Sequence, residues 1–282
     1  MIRPVDVLLE FLEAEQARGV SHVHLDESAR DGLRQLFERS RPGAKPAPPE
    51  IQVPTETPAA PAPVAVPQIT TEGVSKVGKL AALQQQAESW APARALGTLR
   101  ETLVFASGNP NARVMLVGEA PGYQEEKERE PFVGPAGQKL NDILKAMGLS
   151  REEVYLSNIV KFRPATAKQT TNNRKPTPEE MNVCLPFVRA EITIVQPQVI
   201  IALGSAAAEG LLSLSGEITS MRGTWHDFGG TPVRVTYHPS YLLQSGGGNQ
   251  TKRLLWEDML SVMEKLGLPI SDKQRGFFLP KP

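Results

Sequence analysis

Three polar side chains stand at the ends of three separate apolar runs, and together they could bind and cleave something flat and polar. Glu119 follows Val114, Met115, Leu116 and Val117; Asn158 lies near the end of the run Val154 to Val160; His238 follows Val233 to Thr236. An amide offers a donor and an acceptor side by side, which suits a ring edge carrying one carbonyl and one N–H. Phe132, in the apolar turn PFVG, could give such a ring a face to stack on. Each residue also has a bland reading: Asn158 as a strand-end cap, His238 as a turn residue before Pro239, Glu119 as a partner for a backbone amide, Phe132 as core. Their placement on separate strands of one sheet favours a shared site.

That argument needs elements to hold the residues in place. Four apolar residues with no periodic polar face predict a strand over 114–117 buried on both sides, as in a parallel sheet. Gly118, Pro121 and Gly122 then turn the chain and leave Glu119 at a strand's carboxyl end, where open α/β sheets place ligands. Further strands are expected at Val154 to Val160, Gln198 to Gly204 and Val233 to Thr236. Helices are expected at Gly73 to Ala95, from about Gln138 to Met147, Thr177 to Val195, after Gly204, and Thr251 to Leu266. Glu125 to Gln138 and the acid-free Lys161 to Pro178 read as loops. Strands alternating with helices predict an α/β fold, a three-layer α/β/α sandwich with a mainly parallel four-stranded sheet.

Upstream, residues 1–40 read as a small helical module: Val5, Leu8, Leu9 and Leu12 recur at helical spacing, and Leu33, Leu36 and Phe37 share a second face. His22 and His24 alternate as on a short strand, either on a solvated edge or as metal ligands. Residues 41–72 are rich in proline and alanine and cannot bury enough surface to offset their ordering entropy, so they predict an extended linker. The remaining residues, 73–282, form the α/β domain.

Of the 282 residues, 40% are apolar, enough for one substantial core and a small second module. Lysine and arginine number 31, as do aspartate and glutamate, so only local clustering can point to nucleic acid. One such cluster is the loop with Lys161, Arg163, Lys168, Arg174 and Lys175, suited either to a phosphate backbone or to solvent. A second candidate DNA surface is HPSYLLQSGGGNQTKR, with Ser240, Leu242, Leu243, Lys252 and Arg253; its apolar residues can wedge into a base stack or simply start a helix. No run of about 18 apolar residues and no basic-then-apolar leader occurs, so a cytoplasmic location without membrane contact is expected. The single Cys184 leaves no partner for an internal disulfide.

In this order, the motifs resemble those of the family 4 uracil-DNA glycosylases, over roughly Ala91 to Leu266. GEAPGYQEE resembles the family's first motif, PFVGPAGQKL its second, YLSNIVKFRP its third and TYHPSYLL its last. The resemblance implies excision of uracil from DNA, single- or double-stranded, by a monomer needing no external cofactor. It implies that Glu119 places or polarises the attacking water, that Glu125 crowds C5 so that thymine is excluded, and that Phe132 stacks on the base. Asn158 would read the N3–O4 edge and His238 would support O2, with Gly118, Ala120 and Gly122 completing the pocket.

The chain also departs from that pattern. Family members typically hold an iron–sulfur cluster on four cysteines; the matching positions here carry Ala91, Arg94, Phe162 and Cys184. A cluster needs its thiolates, so a cluster-free protein is expected, with packing by Phe162 and its neighbours taking over. Gln244 stands where the family often has arginine, and the glycine-rich Ser245 to Gln250 segment suggests a more mobile loop. A sister group traps uracil-DNA covalently through a histidine in the loop after the third motif; none occurs in Lys161 to Pro178, so hydrolysis without an adduct is expected. Two other classes remain: a DNA-binding protein that kept the fold and lost activity, or a glycosylase for another deaminated base. A nucleotide or phosphate-ester hydrolase is disfavoured, since no Walker A motif is present. Residues 1–40 are a candidate docking module for a protein partner.

Overall fold

The computed structural model describes residues 69–243 and 248–279. The helical module, almost all of the linker, His22, His24 and Gln244 lie outside the described residues.

The described chain begins with α1 (Lys76–Glu88) and α2 (Ala91–Ala95). A single helix over 73–95 was expected, but the chain breaks at Ser89 and Trp90, and Pro92 sits in the first turn of α2, where its missing N–H has no intrahelical role. Then follow β1 (Leu99–Leu103), β2 (Ala106–Gly108) and β3 (Val114–Gly118). Next come α3 (Tyr123–Glu128), α4 (Pro135–Met147), a 3₁₀ turn at Arg151–Glu153, β4 (Tyr155–Asn158) and β5 (Phe162–Pro164). The chain continues through α5 (Pro178–Val195), β6 (Val199–Leu203), α6 (Ser205–Leu212), α7 (Ile218–Met221), β7 (Trp225–Phe228) and β8 (Thr231–Thr236). A 3₁₀ turn at Pro239–Leu243, α8 (Asn249–Lys265) and α9 (Asp272–Arg275) close it.

The main sheet has six strands in the order β2-β4-β3-β6-β8-β7. Its four central strands are parallel and are the four expected from the sequence. Two antiparallel edge strands, β2 and β7, correct the expected count. They went unread because β2 spans three residues and WHDF in β7 shows no apolar alternation, as short, half-exposed edges allow. Two segments expected as loops also hold structure. Glu125 to Gln138 includes most of α3 and the first turn of α4, and the acid-free loop opens with β5, which pairs antiparallel with β1.

Side chains alternate across the parallel strands into two cores. Met115, Val117, Ile200, Ala202, Val233 and Val235 face α1, α5 and α6. Val114, Leu116, Leu156, Ile201 and Leu203 face α4 and α8. This alternation makes the three layers. Helix α5 starts where it must: Thr177 accepts from Glu180 N, the Glu180 carboxylate accepts from Thr177 N, and Pro178 opens the first turn. On its inner face Met181, Cys184 and Val188 are buried, whereas Leu185 is only partly so.

The connections matter for the site. β3 passes through α4 to β4 on one side, and the chain returns through α5 to β6 on the other side of β3. The carboxyl end of β3 is therefore the point where strand order reverses, and Glu119 stands there.

Candidate active site

A cavity of about 490 Å³ opens at that point. Residues from four separate segments converge on it: Glu119 after β3, Phe132 before α4, Asn158 at the end of β4, and His238 after β8. Backbone bonds from Ile159 N to Gly118 O (2.9 Å) and from Val160 N to Glu119 O (3.0 Å) carry the β3–β4 pairing past the strand ends, fixing Glu119 beside Asn158.

Asn158 is 3% exposed, lines the cavity, and its amide has no hydrogen-bond partner among the described residues. The amide faces the cavity, where it is free to pair with a ligand edge. Gly118 does not line the cavity itself. A Cβ there would collide with Asn158 Oδ1 and come within 2.5 Å of Phe132 Cζ, so glycine lets the amide and the ring close over the strand end. Phe132 adopts φ 58°, a left-handed conformation that costs a non-glycine residue about 1–2 kcal/mol. Its ring lies 6.2 Å from the His238 ring, tilted by 31°.

His238 Nδ1 accepts from Ser240 N at 3.2 Å and lies 2.7 Å from Ser240 Oγ. A backbone N–H can only donate, so Nδ1 is an acceptor and the neutral ring carries its proton on Nε2. Burial pushes the imidazole down to about 4, which keeps it neutral at pH 7. Glu119 is half-buried, and its carboxyl is held above the usual range by burial, with Lys175 opposing and Glu209 adding to the rise. Glu125, expected at the C5 edge, lines the cavity with its carboxylate accepting from Gly122 N (3.1 Å) and Gly134 N (2.9 Å). Ala120 and Gly122 also line it.

The basic loop requires corrections. Lys161 is fully buried: its Nζ donates to Glu191 Oε1 at 2.7 Å and Ser157 Oγ at 2.6 Å, so it cannot reach DNA. Burial raises the Glu191 carboxyl and Lys161 opposes that rise. Arg163, 2% exposed, donates to Glu126 (2.9 Å), Asn173 Oδ1 (3.0 Å) and the carbonyls of Thr170 and Asn172. It shapes the loop from within and has no exposed face for phosphate. Arg174 lines the cavity but is engaged by Glu180 and by the carbonyls of Ala165 and Thr98. Lys175 lines the cavity, remains half-exposed and pairs with Glu209 at 2.9 Å. The loop has no acids of its own because its acids come from α3, α5 and α6.

The second surface divides similarly. Ser240 holds His238, Leu242 packs against the core under α4 and α8, and Leu243 is 48% exposed. Tyr241, also exposed, stacks on Tyr237 with ring centroids 5.3 Å apart. Leu242 and Lys252 line a separate cavity of about 510 Å³ with Trp256 and Phe277. Arg253 ties the C-terminal segment down through the carbonyls of Arg275 and Phe277 and pairs with Glu257, which leaves Leu243 and Lys252 as the freer candidates for DNA contact. Sequence reasoning missed Asn173, which lines the cavity and is oriented by Arg163; no spacing signal marks it.

At the four positions that the motif resemblance matches to cluster ligands, Arg94 lies 5.1 Å from the ring centroid of the buried Phe162, Ala91 is exposed, and Cys184 is fully buried. Burial pushes the Cys184 thiol up to about 11. One reluctant thiol, a guanidinium, a phenyl ring and a methyl group do not fit an iron–sulfur cluster. Among the described residues no group of three or more His, Cys, Asp or Glu could hold a metal ion.

The uracil DNA glycosylase superfamily model matches residues 105–260, more than half of the chain. The chain belongs to the uracil DNA glycosylase superfamily. Over 162 residues it is 43% identical to a type-4 uracil-DNA glycosylase of Thermotoga maritima, covering 57% of this chain and 81% of that one. A type-4 uracil-DNA glycosylase of Archaeoglobus fulgidus is 35% identical over 179 residues, covering 61% and 83%. A type-5 uracil-DNA glycosylase of Thermus thermophilus is 31% identical over 180 residues, covering 55% and 75%.

Proposed function

We propose that this protein excises uracil from DNA by hydrolysing its N-glycosidic bond, and that it does so as a monomer without an iron–sulfur cluster. The observation that carries this reading is the unpartnered Asn158 amide sharing one cavity with the Phe132 ring and the Nε2–H of His238. Extruding the base from a duplex costs a few kcal/mol, and less from a single strand. In the cavity the Phe132 ring meets the base face, while the Asn158 amide accepts from N3–H and donates to O4.

As the C1′–N1 bond breaks, its electron pair stays with uracil and negative charge gathers at O2, while the sugar becomes cationic. The neutral His238 donates from Nε2 to O2, a contact that strengthens only as charge develops. Ionised Glu119 stabilises the cationic sugar and orients a water, whose oxygen bonds to C1′ and whose proton passes to the carboxylate. Uracil leaves as its anion and is protonated as Glu119 gives up the water's proton, so the products are uracil and an abasic site. Glu125, which lines the cavity, is the side chain assigned to exclude a C5 methyl. Lys175, Lys168, Leu243 and Lys252 are the side chains left to contact the strand. The reading places the protein in the cytoplasm; no helix among the described residues is long and apolar enough to cross a membrane.

Incubation with a uracil-containing oligonucleotide should produce alkali-labile sites and no slow-migrating protein–DNA adduct. Binding without alkali-labile sites would favour an inactive DNA-binding protein. The cluster-free reading is tested separately. Purified protein should be colourless and contain no stoichiometric iron, because Ala91, Arg94 and Phe162 supply no thiolate. Visible iron–sulfur absorption with matching iron content would overturn it.

A further inference from the structure

The turn that presents Phe132 is held by one side chain outside the cavity. Arg151 stands at the start of the 3₁₀ turn that follows α4. Its Nη1 donates to Phe132 O at 2.8 Å and to Asn141 Oδ1 at 3.3 Å. Its Nη2 donates to Pro131 O at 2.9 Å and to Glu130 Oε1 at 3.0 Å. Two consecutive carbonyls of the turn therefore fall on the two ends of one planar guanidinium.

The same peptide also packs closely on the first turn of α4. A Cβ at Gly137 would overlap the Phe132 carbonyl and its Cα. The Phe132 peptide is thus held by contact with Gly137 and a hydrogen bond from Arg151 in a left-handed conformation that its own side chain disfavours. With the backbone so placed, the ring lies against Gly118, where the Asn158 amide also closes in.

We infer that Arg151 is a positioning residue for base excision: its guanidinium pins the Pro131 and Phe132 carbonyls so that the Phe132 ring is already in place to receive the extruded base. The inference rests on the reading of Phe132 as the base platform. Arginine is required because its rigid fork serves both carbonyls at once, whereas a lysine ammonium is a single point charge on a flexible stem.

The test is a double-mutant cycle on single-turnover uracil excision from single-stranded DNA, with melting temperatures measured in parallel. Arg151→Ala should slow excision roughly tenfold in the wild-type background, and about twofold or less when Phe132 is already alanine. Arg151→Lys should show most of the same loss and the same dependence on Phe132, and it carries the cycle if the alanine variant does not fold. A role in general stability would instead lower melting temperature and excision alike in both backgrounds. Equal fold losses with and without the Phe132 ring would overturn the inference, as would wild-type excision by either Arg151 variant. Silence of Phe132→Ala itself would overturn the platform reading and, with it, the role of Arg151.

Discussion

Asn158→Asp is expected to lose uracil excision by about four orders of magnitude, the discrimination that sites built on buried hydrogen-bond pairs reach when the pair is mismatched. On the proposed mechanism the native amide accepts from N3–H and donates to O4. A carboxylate keeps the acceptor and sets a second oxygen against O4, leaving acceptor facing acceptor. Cytosine reverses the pattern, with a lone pair at N3 and an amino group at C4, so the wild type should leave it untouched. The aspartate variant could accept from the cytosine amino group and, when protonated, donate to N3, so weak cytosine excision is the expected gain. Single-turnover release of both bases, after circular dichroism has established that the variant folds, checks both halves. Uracil release within about a factor of two of wild type would show that Asn158 does not read the base, since one mismatched buried pair alone costs more than that.

His238→Ala should lower the single-turnover rate by about 10²–10³, the usual loss when one donor to a developing oxyanion is removed. Its pH profile separates the imidazole from the carboxylate. The His238 imidazole, pushed down to about 4, is neutral throughout the working range and contributes no limb near neutrality. On the proposed mechanism Glu119 acts as a carboxylate, and its pKa is raised by burial, so excision should fall as pH drops through that raised value. The acid limb should therefore survive in His238→Ala and vanish in Glu119→Gln. A limb that disappears with His238 would assign the titration to the imidazole and contradict the neutral donor. Stability carries its own sign. The unfolded chain takes up a proton on His238 near 6.5 and the folded chain only near 4, so the stability His238 contributes is present above about 6.5 and declines as pH falls between these values.

The strands were legible because burial on both faces forces unbroken apolar runs, and the site residues were legible because they stand where those runs stop. Glu119, Asn158 and His238 needed only that logic together with the rule that parallel sheets bind ligands at their carboxyl ends. Charge was not legible in the same way. Lys161 finds its acid 30 residues downstream on α5, and Arg163 finds Glu126 37 residues upstream on α3. A loop without acids in sequence is therefore not a loop without acids in space. Phe132 could be named as a platform, yet nothing in PFVG reveals its left-handed backbone or the arginine 19 residues later that holds it. Asn173 was hidden for the same reason, since it reaches the cavity through a loop folded around Arg163.

The central claim is that the cavity breaks the bond between uracil and deoxyribose, and free uracil measures that directly. Full-length protein, with no added metal, should release uracil from a single-stranded oligonucleotide in equal number to the abasic sites formed, and release none from the same strand carrying thymine or cytosine. Retention of all uracil on a strand that the protein binds tightly would contradict the account.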